Sequence, residues 1–113
     1  MKWVEGRQGS GYYKLKIWES KLFKFDIYLL KYPTGSYIDK HLDPAPLHFD
    51  HHRLNIILKK PEKGGTFALD GVEQTGRIYK FRPDKQEHSL SRIETGSRYL
   101  LSIGWLNFNR TDG

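Results

Sequence analysis

The chain reads as all-β, a sandwich or jelly roll, on three observations. Aromatic and β-branched residues come in short runs, Gly, Pro and Asp split those runs at roughly ten-residue spacing, and no apolar stripe of helical period is present. The first strand is Tyr12 to Trp18, and the eleven residues before it, with Gly6, Gly9 and Gly11, read as a mobile arm. Glu19 to Phe23 is the one short stretch compatible with a helix. Lys24 to Tyr32 is the second strand and ends at Pro33 to Gly35; Ser36 to Leu42 is the third and ends at Pro44 to Pro46. Arg53 to Lys59 precedes the break Pro61 to Gly65, and Gly65 to Leu69 precedes the break Asp70 to Gly76. Arg77 to Phe81 stops at Arg82 to Gln86, Glu87 to Ile93 stops at the turn Thr95 to Ser97, and Arg98 to Leu106 closes the series.

At 113 residues this is one domain, 1–113, with a single core, and it is too short for a second domain with its own active site. It has no cysteine, which excludes disulfides, thiolate zinc sites and a cysteine nucleophile. Any metal must be held by histidine, carboxylate or water, and five histidines are available. The longest apolar runs, such as Ile27 to Leu30 and Ile56 to Leu58, are far too short to cross a bilayer, and no leader-like segment opens the chain. A soluble, cytoplasmic protein without a membrane partner is expected. The formal charge of +6 favours acidic partners by long-range attraction, although the lysines are scattered as on an ordinary solvated surface.

His41-Leu42-Asp43 carries the strongest chemical signal. Alternation along a strand puts His41 and Asp43 on one face, roughly 7 Å apart along the backbone, so both can reach one ion. Two imidazoles and a carboxylate can occupy one face of an octahedral ferrous ion and leave the opposite positions open. His48-Phe49-Asp50 has the same spacing, and both pairs cannot be the site. His41 is preferred because it ends a strand, whereas His48, His51 and His52 read as a polar loop whose functional role would be substrate contact at a pocket rim.

His88 supplies the third ligand and Arg98, ten residues on, a fixed cation for an anion beside the metal. In a flat hairpin the two would share a face but lie six residues apart, roughly 20 Å. In a jelly roll the second strand crosses to the opposing sheet and the two side chains can converge. The functional reading therefore requires the jelly roll. On the last strand Ser102 and Gly104 share the face of Arg98, and small side chains there leave room for a bound acid, provided the register holds. Gly64-Gly65 marks a tight turn, a backbone role.

From about Tyr32 to Trp105 the chain resembles the ferrous iron and 2-oxoglutarate dependent oxygenases, in particular the prolyl hydroxylase-like branch. The ordered landmarks are Tyr32-x-x-Gly35, His41-x-Asp43, Arg53-Leu54-Asn55, Gly64-Gly65-Thr66-Phe67, Phe81-Arg82-Pro83, His88, Gly96-x-Arg98 and Trp105. The resemblance implies a cupin-like double-stranded β-helix with a near-minimal eight-stranded core. It also implies Fe(II) held by His41, Asp43 and His88, with Arg98 pairing the far carboxylate of 2-oxoglutarate through its planar fork. Tyr32 resembles the tyrosine that adds a hydroxyl to that carboxylate, the alternative being an aromatic packed at a strand end. Asn55 is placed either against co-substrate or substrate, or in a structural hydrogen bond.

By the same resemblance, 2-oxoglutarate and O₂ are consumed, succinate and CO₂ released, and a C–H bond of the substrate hydroxylated. A prolyl or other peptide side chain is the first expectation for that substrate; nucleic acid is the alternative among enzymes, and a non-catalytic cupin-like metal-binding module the alternative outside them. Cupins, however, usually place two histidines where this chain has His41 and Asp43, and have no need of Arg98. The N-terminal helices that usually buttress the major sheet are replaced by the β segment Tyr12 to Trp18, so a homodimer covering that sheet is expected.

Overall fold

The computed structural model describes residues 2–6 and 10–109, which form twelve strands and no helix. In chain order these are β1 Trp3–Glu5, β2 Tyr13–Ser20, β3 Phe25–Tyr32, β4 Ile38–His41, β5 Phe49–Lys59, β6 Lys63–Gly64, β7 Phe67–Leu69, β8 Val72–Gln74, β9 Ile78–Phe81, β10 His88–Leu90, β11 Ile93–Thr95 and β12 Arg98–Phe108. One sheet runs β1-β2-β3-β12-β5-β9, a second runs β4-β10-β7-β8, and β11 pairs with β6 in a small third. The four strands β3-β12-β5-β9 and the four strands β4-β10-β7-β8 make an eight-stranded double-stranded β-helix, with β1 and β2 added at one edge.

The expected strand count was eight, yet its membership differs. Tyr12 to Trp18 corresponds to β2, which lies outside the eight-stranded core, and β8 falls in the expected break between Asp70 and Gly76. The reason is an Asp-Gly hairpin: Asp70 and Gly71 both have positive φ, and Leu69 pairs with Val72 across them. Glu19 to Phe23 is no helix. It is the end of β2 and the turn into β3, where Ser20 Oγ accepts the Phe23 N–H. Within the first eleven residues Trp3–Glu5 pairs with β2; residues 1 and 7–9 of the expected mobile arm lie outside the described residues. No helix among the described residues is long and apolar enough to cross a membrane.

Two further strand boundaries move for tertiary reasons. The strand expected from Arg53 begins at Phe49, because β12 runs on to Phe108 and pairs with it residue by residue, Trp105 with His52 and Leu106 with His51. Partner hydrogen bonds thus overrule the local loop signal. The strand expected from Glu87 to Ile93 splits at Ser91-Arg92 into β10 and β11, which belong to different sheets. Gly64 and Gly65 turn the chain nearby at positive φ, and a side chain at Gly64 would collide with the Arg92 carbonyl.

β12 is the centre of the six-stranded sheet and alternates strictly: Arg98, Leu100, Ser102 and Gly104 are buried toward the inside, and their neighbours face out. Register then builds inward rows. Tyr28, Ser102, Asn55 and Tyr79 form one, and Asp26, Gly104, Arg53 and Phe81 another. Core residues Ile57, Leu90, Leu100 and Ile93 close the space between the sheets, Ile93 being fully buried.

Arg53 reaches over Gly104 to Asp26, two strands away, with Nη2 2.7 Å from Asp26 Oδ1 and Nη1 2.7 Å from Ser102 Oγ. A β-carbon at Gly104 would occupy the guanidinium's place. Gly104→Ala is therefore expected to lift Arg53 off both partners and cost about 1.5–3 kcal/mol, the range for hydrogen bonds to charged groups. In an Arg53→Met background the same change should cost much less, and urea unfolding of the four proteins of this cycle reads the coupling directly.

Candidate metal centre

His41 ends β4 and His88 begins β10, directly opposite each other in the ladder. Their rings lie 4.2 Å apart. Asp43 sits past the end of β4 and not within a strand, and its own N–H donates to the Pro83 carbonyl, which fixes the loop. His41 Nε2 lies 3.4 Å from Asp43 Oδ1 and His88 Nε2 3.2 Å from Asp43 Oδ2. One ligand atom from each of the three falls within 4.8 Å of the others. The spacing expected from the H-x-D motif holds, although loop anchoring and not strand alternation places the carboxylate.

The far sides of both rings explain why this cluster suits a cation. His41 Nδ1 lies 2.8 Å from the Asp39 carbonyl, and His88 Nδ1 lies 3.1 Å from the Gln86 carbonyl. A carbonyl only accepts, so each Nδ1 carries a proton, and each Nε2 is the ring nitrogen that faces the Asp43 carboxylate and would be free to ligate once unprotonated. Three electron-rich groups then face one point, which is unfavourable unless protons or one metal ion stand between them. For bonds of about 2.1 Å, adjacent ligands of one ion lie ~3 Å apart, close to the spacings seen here. His88 is buried, whereas the Asp43 side chain is 47% exposed, so the cluster opens to solvent on one side.

His48-Phe49-Asp50 does not compete. His48 has a positive φ, and Asp50 pairs with Arg82 at 3.2 Å. His51 and His52, expected in a loop, are strand residues on opposite faces of β5. His52 stacks on Trp105 at 5.6 Å on the outside, while His51 faces the triad cavity.

That cavity, about 370 Å³, is lined by the triad and by Tyr28, Tyr32, His51, Arg53 and Asn55 among others. Asn55 is buried and accepts the Ser102 hydroxyl at 2.6 Å, the structural hydrogen bond expected for it, and it also lines the cavity. Ser102 also borders the space, but the room above Gly104 is filled by the Arg53 guanidinium and is not free for an acid. Arg53 and His51 were missed as cavity residues. Their signal is the period-two series His51, Arg53, Asn55; for His51 it is concealed because the local loop signal places the strand's start at Arg53, two residues further on.

Tyr32 is buried, stacks on Tyr12 at 4.8 Å and pairs in register with Arg98. Burial pushes its phenol well above the ordinary range, so it is a hydroxyl donor at any physiological pH. Arg98 crosses to the sheet opposite His88, as the jelly roll required. Its guanidinium is buried, donates to the Tyr79 hydroxyl at 2.8 Å and the Gly65 carbonyl at 3.3 Å, and leaves Nε buried without a partner. Arg98 borders a separate cavity of about 230 Å³ with Gly65 and Thr66, not the wall of the triad cavity. Tyr79 and Phe67, stacked at 4.8 Å, link it to His88, whose ring is 6.5 Å from Phe67.

The chain matches no known family profile and no curated protein. Solved structures share its fold. A predicted oxalate decarboxylase of Thermotoga maritima is 15% identical, covering 94% of this chain and 91% of that one, with a TM-score of 0.68. A cupin domain of Schizosaccharomyces pombe is 10% identical over 95% of this chain and 69% of its own, at 0.67. A viral collagen prolyl hydroxylase from Paramecium bursaria Chlorella virus-1, solved with 2-oxoglutarate, is 18% identical over 73% of this chain and 58% of its own, at 0.56. These likenesses establish the cupin jelly-roll fold.

The imidazole of His51 is held below its ordinary value of 6.5, first by burial and then by Arg53. A histidine whose folded pKa is depressed contributes its full stability above the unfolded value and loses it as pH falls through the folded one. Metal-free protein should therefore lose stability on acidification from about pH 6.5. His51→Asn should make that limb of a urea-denaturation pH profile shallower and leave the neutral side level, the remaining slope belonging in part to His52, which burial also holds low; an unaltered slope would show that His51 titrates normally.

Proposed function

We propose that this protein is a ferrous iron and 2-oxoglutarate dependent oxygenase that hydroxylates a C–H bond of a peptide substrate, a prolyl side chain in the first instance. One observation carries the reading: His41, Asp43 and His88 converge at a cavity that also holds Tyr32, and Tyr32 pairs in register with a buried arginine that has no carboxylate partner among the described residues. The peptide class rests on the likeness to the viral collagen prolyl hydroxylase.

In this reading His41 Nε2, His88 Nε2 and one Asp43 oxygen hold the ion, and the Asp39 and Gln86 carbonyls keep both imidazoles in the ligating tautomer. When bound, iron and 2-oxoglutarate supply the oxidising chemistry, with succinate and CO₂ as by-products. The chain supplies charge and shape. Arg53 is already paired to Asp26, so it offers little net charge to a ligand. Arg98 is the buried guanidinium without an acid, and the protonated Tyr32 hydroxyl beside it can donate a second hydrogen bond to a carboxylate. Burial and the nearby Arg53 lower the His51 pKa, which disfavours a further positive charge on its side of the cavity.

A second reading has its own observation. Arg98 already bonds Tyr79 and Gly65 and borders a different cavity, as suits a metal-binding cupin that uses no 2-oxoglutarate.

Anaerobic titration separates the two. Wild type with Fe(II) and 2-oxoglutarate should develop a weak visible charge-transfer band, His41→Ala should not, and Arg98→Gln should retain metal while binding 2-oxoglutarate about thirtyfold more weakly or worse. Metal binding indifferent to 2-oxoglutarate would favour the cupin module, and a band that persists in His41→Ala would remove the site assignment. Succinate release on admitting oxygen then reports turnover.

A further inference from the structure

A second groove, about 410 Å³, adjoins the triad cavity, and His51 and Arg53 border both. One wall is the turn from β2 into β3, with Lys21 and Lys24; the other is the run Pro44-Ala45-Pro46. That run directly follows Asp43, the half-exposed member of the triad, which places it beside the open side of the cluster.

Three features of this groove are not used by the metal site. Its two acids are already engaged, Glu19 with Lys16 at 3.2 Å and Asp26 with Arg53 at 2.7 Å, whereas Lys21 and Lys24 have no carboxylate partner among the described residues. Lys24 is also held in place. Its backbone is left-handed, with a φ of 52°, its carbonyl accepts the Leu106 N–H at 3.0 Å, and its ammonium lies 5.2 Å from the centre of the Phe49 ring. Secondly, Leu22, Phe23 and Leu47 stand on the same two loops, and at 82%, 77% and 69% they are the most exposed large apolar side chains among the described residues. One such residue alone needs no explanation, but three flanking one groove mark a contact surface. Thirdly, Pro44 and Ala45 make no backbone hydrogen bond among the described residues, which leaves the Ala45 N–H and both carbonyls for another main chain.

We propose that this groove docks an acidic, partly apolar peptide segment and leads one of its side chains past His51 and Arg53 to the triad. The passage to the metal rests on the hydroxylase reading; the groove adds to it the class of peptide. Carboxylate side chains pair with Lys21 and Lys24, apolar ones cover Leu22, Phe23 and Leu47, and the peptide backbone runs along Pro44 and Ala45. Nucleic acid suits the groove less. Two unpaired cations neutralise few phosphates, exposed leucines gain nothing from a phosphate backbone, and Trp105, which could stack a base, already carries His52 and Lys80 on its ring.

Fluorescence anisotropy of the full chain with a short labelled peptide, a proline flanked by glutamate and leucine, tests this. The peptide should bind about tenfold more tightly than its counterpart with lysine in the glutamate positions, and added salt should weaken it. Lys21→Gln combined with Lys24→Asn should weaken binding about tenfold, asparagine being chosen because it tolerates the left-handed backbone. Leu47→Ser should weaken it severalfold, while Lys59→Gln, at the far end of β5, should leave it unchanged. Equal affinity for the two peptides, or none for either, overturns the proposal. So does a loss in Lys59→Gln as large as in the double variant, which would reduce the attraction to net charge. A single-stranded oligonucleotide that displaces the peptide and is weakened by the same two lysine changes also overturns it and assigns the groove to nucleic acid. Peptide binding that survives a failed iron and 2-oxoglutarate titration would remove the reading of the metal site and leave the docking in place.

Discussion

The pairing of β12 with β3 on one side and β5 on the other is the constraint from which the rest of this structure follows. Eleven consecutive residues are committed to it, and because side chains alternate along a strand, the pairing decides at once what faces the core and what faces out. Inward it delivers Arg98 beside Tyr32, Leu100 into the core, Ser102 to Asn55, and Gly104 under the Arg53 guanidinium. Outward it delivers Leu101, Ile103 and Trp105 to the other face of the sheet. A slip of one residue would exchange the two sets and lose the cavity and the core together.

Within that frame, electrostatics sorts the site into two parts. At the triad, backbone carbonyls behind each imidazole turn both Nε2 atoms onto a carboxylate, which creates a place for a cation. Deeper in the barrel the balance is reversed. Arg53 is neutralised by Asp26, but Arg98 is buried against a phenol and a carbonyl, with an unpartnered Nε. A buried guanidinium without an acid is costly, and a carboxylate ligand would offset that cost. The chain thus sets a His-Asp-His cluster that could hold a cation, and a buried guanidinium with no carboxylate partner among the described residues, beside two separate cavities of one small fold.

Much of this was legible in the residues. Gly, Pro and Asp punctuation and the lack of a helical period gave the all-β class, and His41, Asp43 and His88 were identifiable by type and spacing. The crossing of His88 and Arg98 into opposite sheets was legible too, because a flat hairpin would have kept them too far apart. Other features were hidden for definite reasons. Asp70-Gly71 reads locally as an ordinary break, which conceals the short strand β8, and the eight runs visible in the sequence include β2 in its place. Polar His51 and His52 suggested a loop, yet pairing to β12 makes them strand. The space credited to Gly104 was real, but Arg53 fills it from a neighbouring strand.

The sequence by itself determined composition-level exclusions, the all-β fold class and the three residues, His41, Asp43 and His88, that meet in the candidate cation site, since these depend on residue type and near neighbours. Tertiary structure alone decided which histidines face the cavity, that Arg53 rather than empty space covers Gly104, and that Arg98 borders a different cavity from the triad. It also decided that the turn between β2 and β3 and the run after Asp43 face each other across one groove. The physical reason is common to all of these: each depends on the register between strands distant in the chain, and register is set by the whole ladder of partners rather than by any local run of residues.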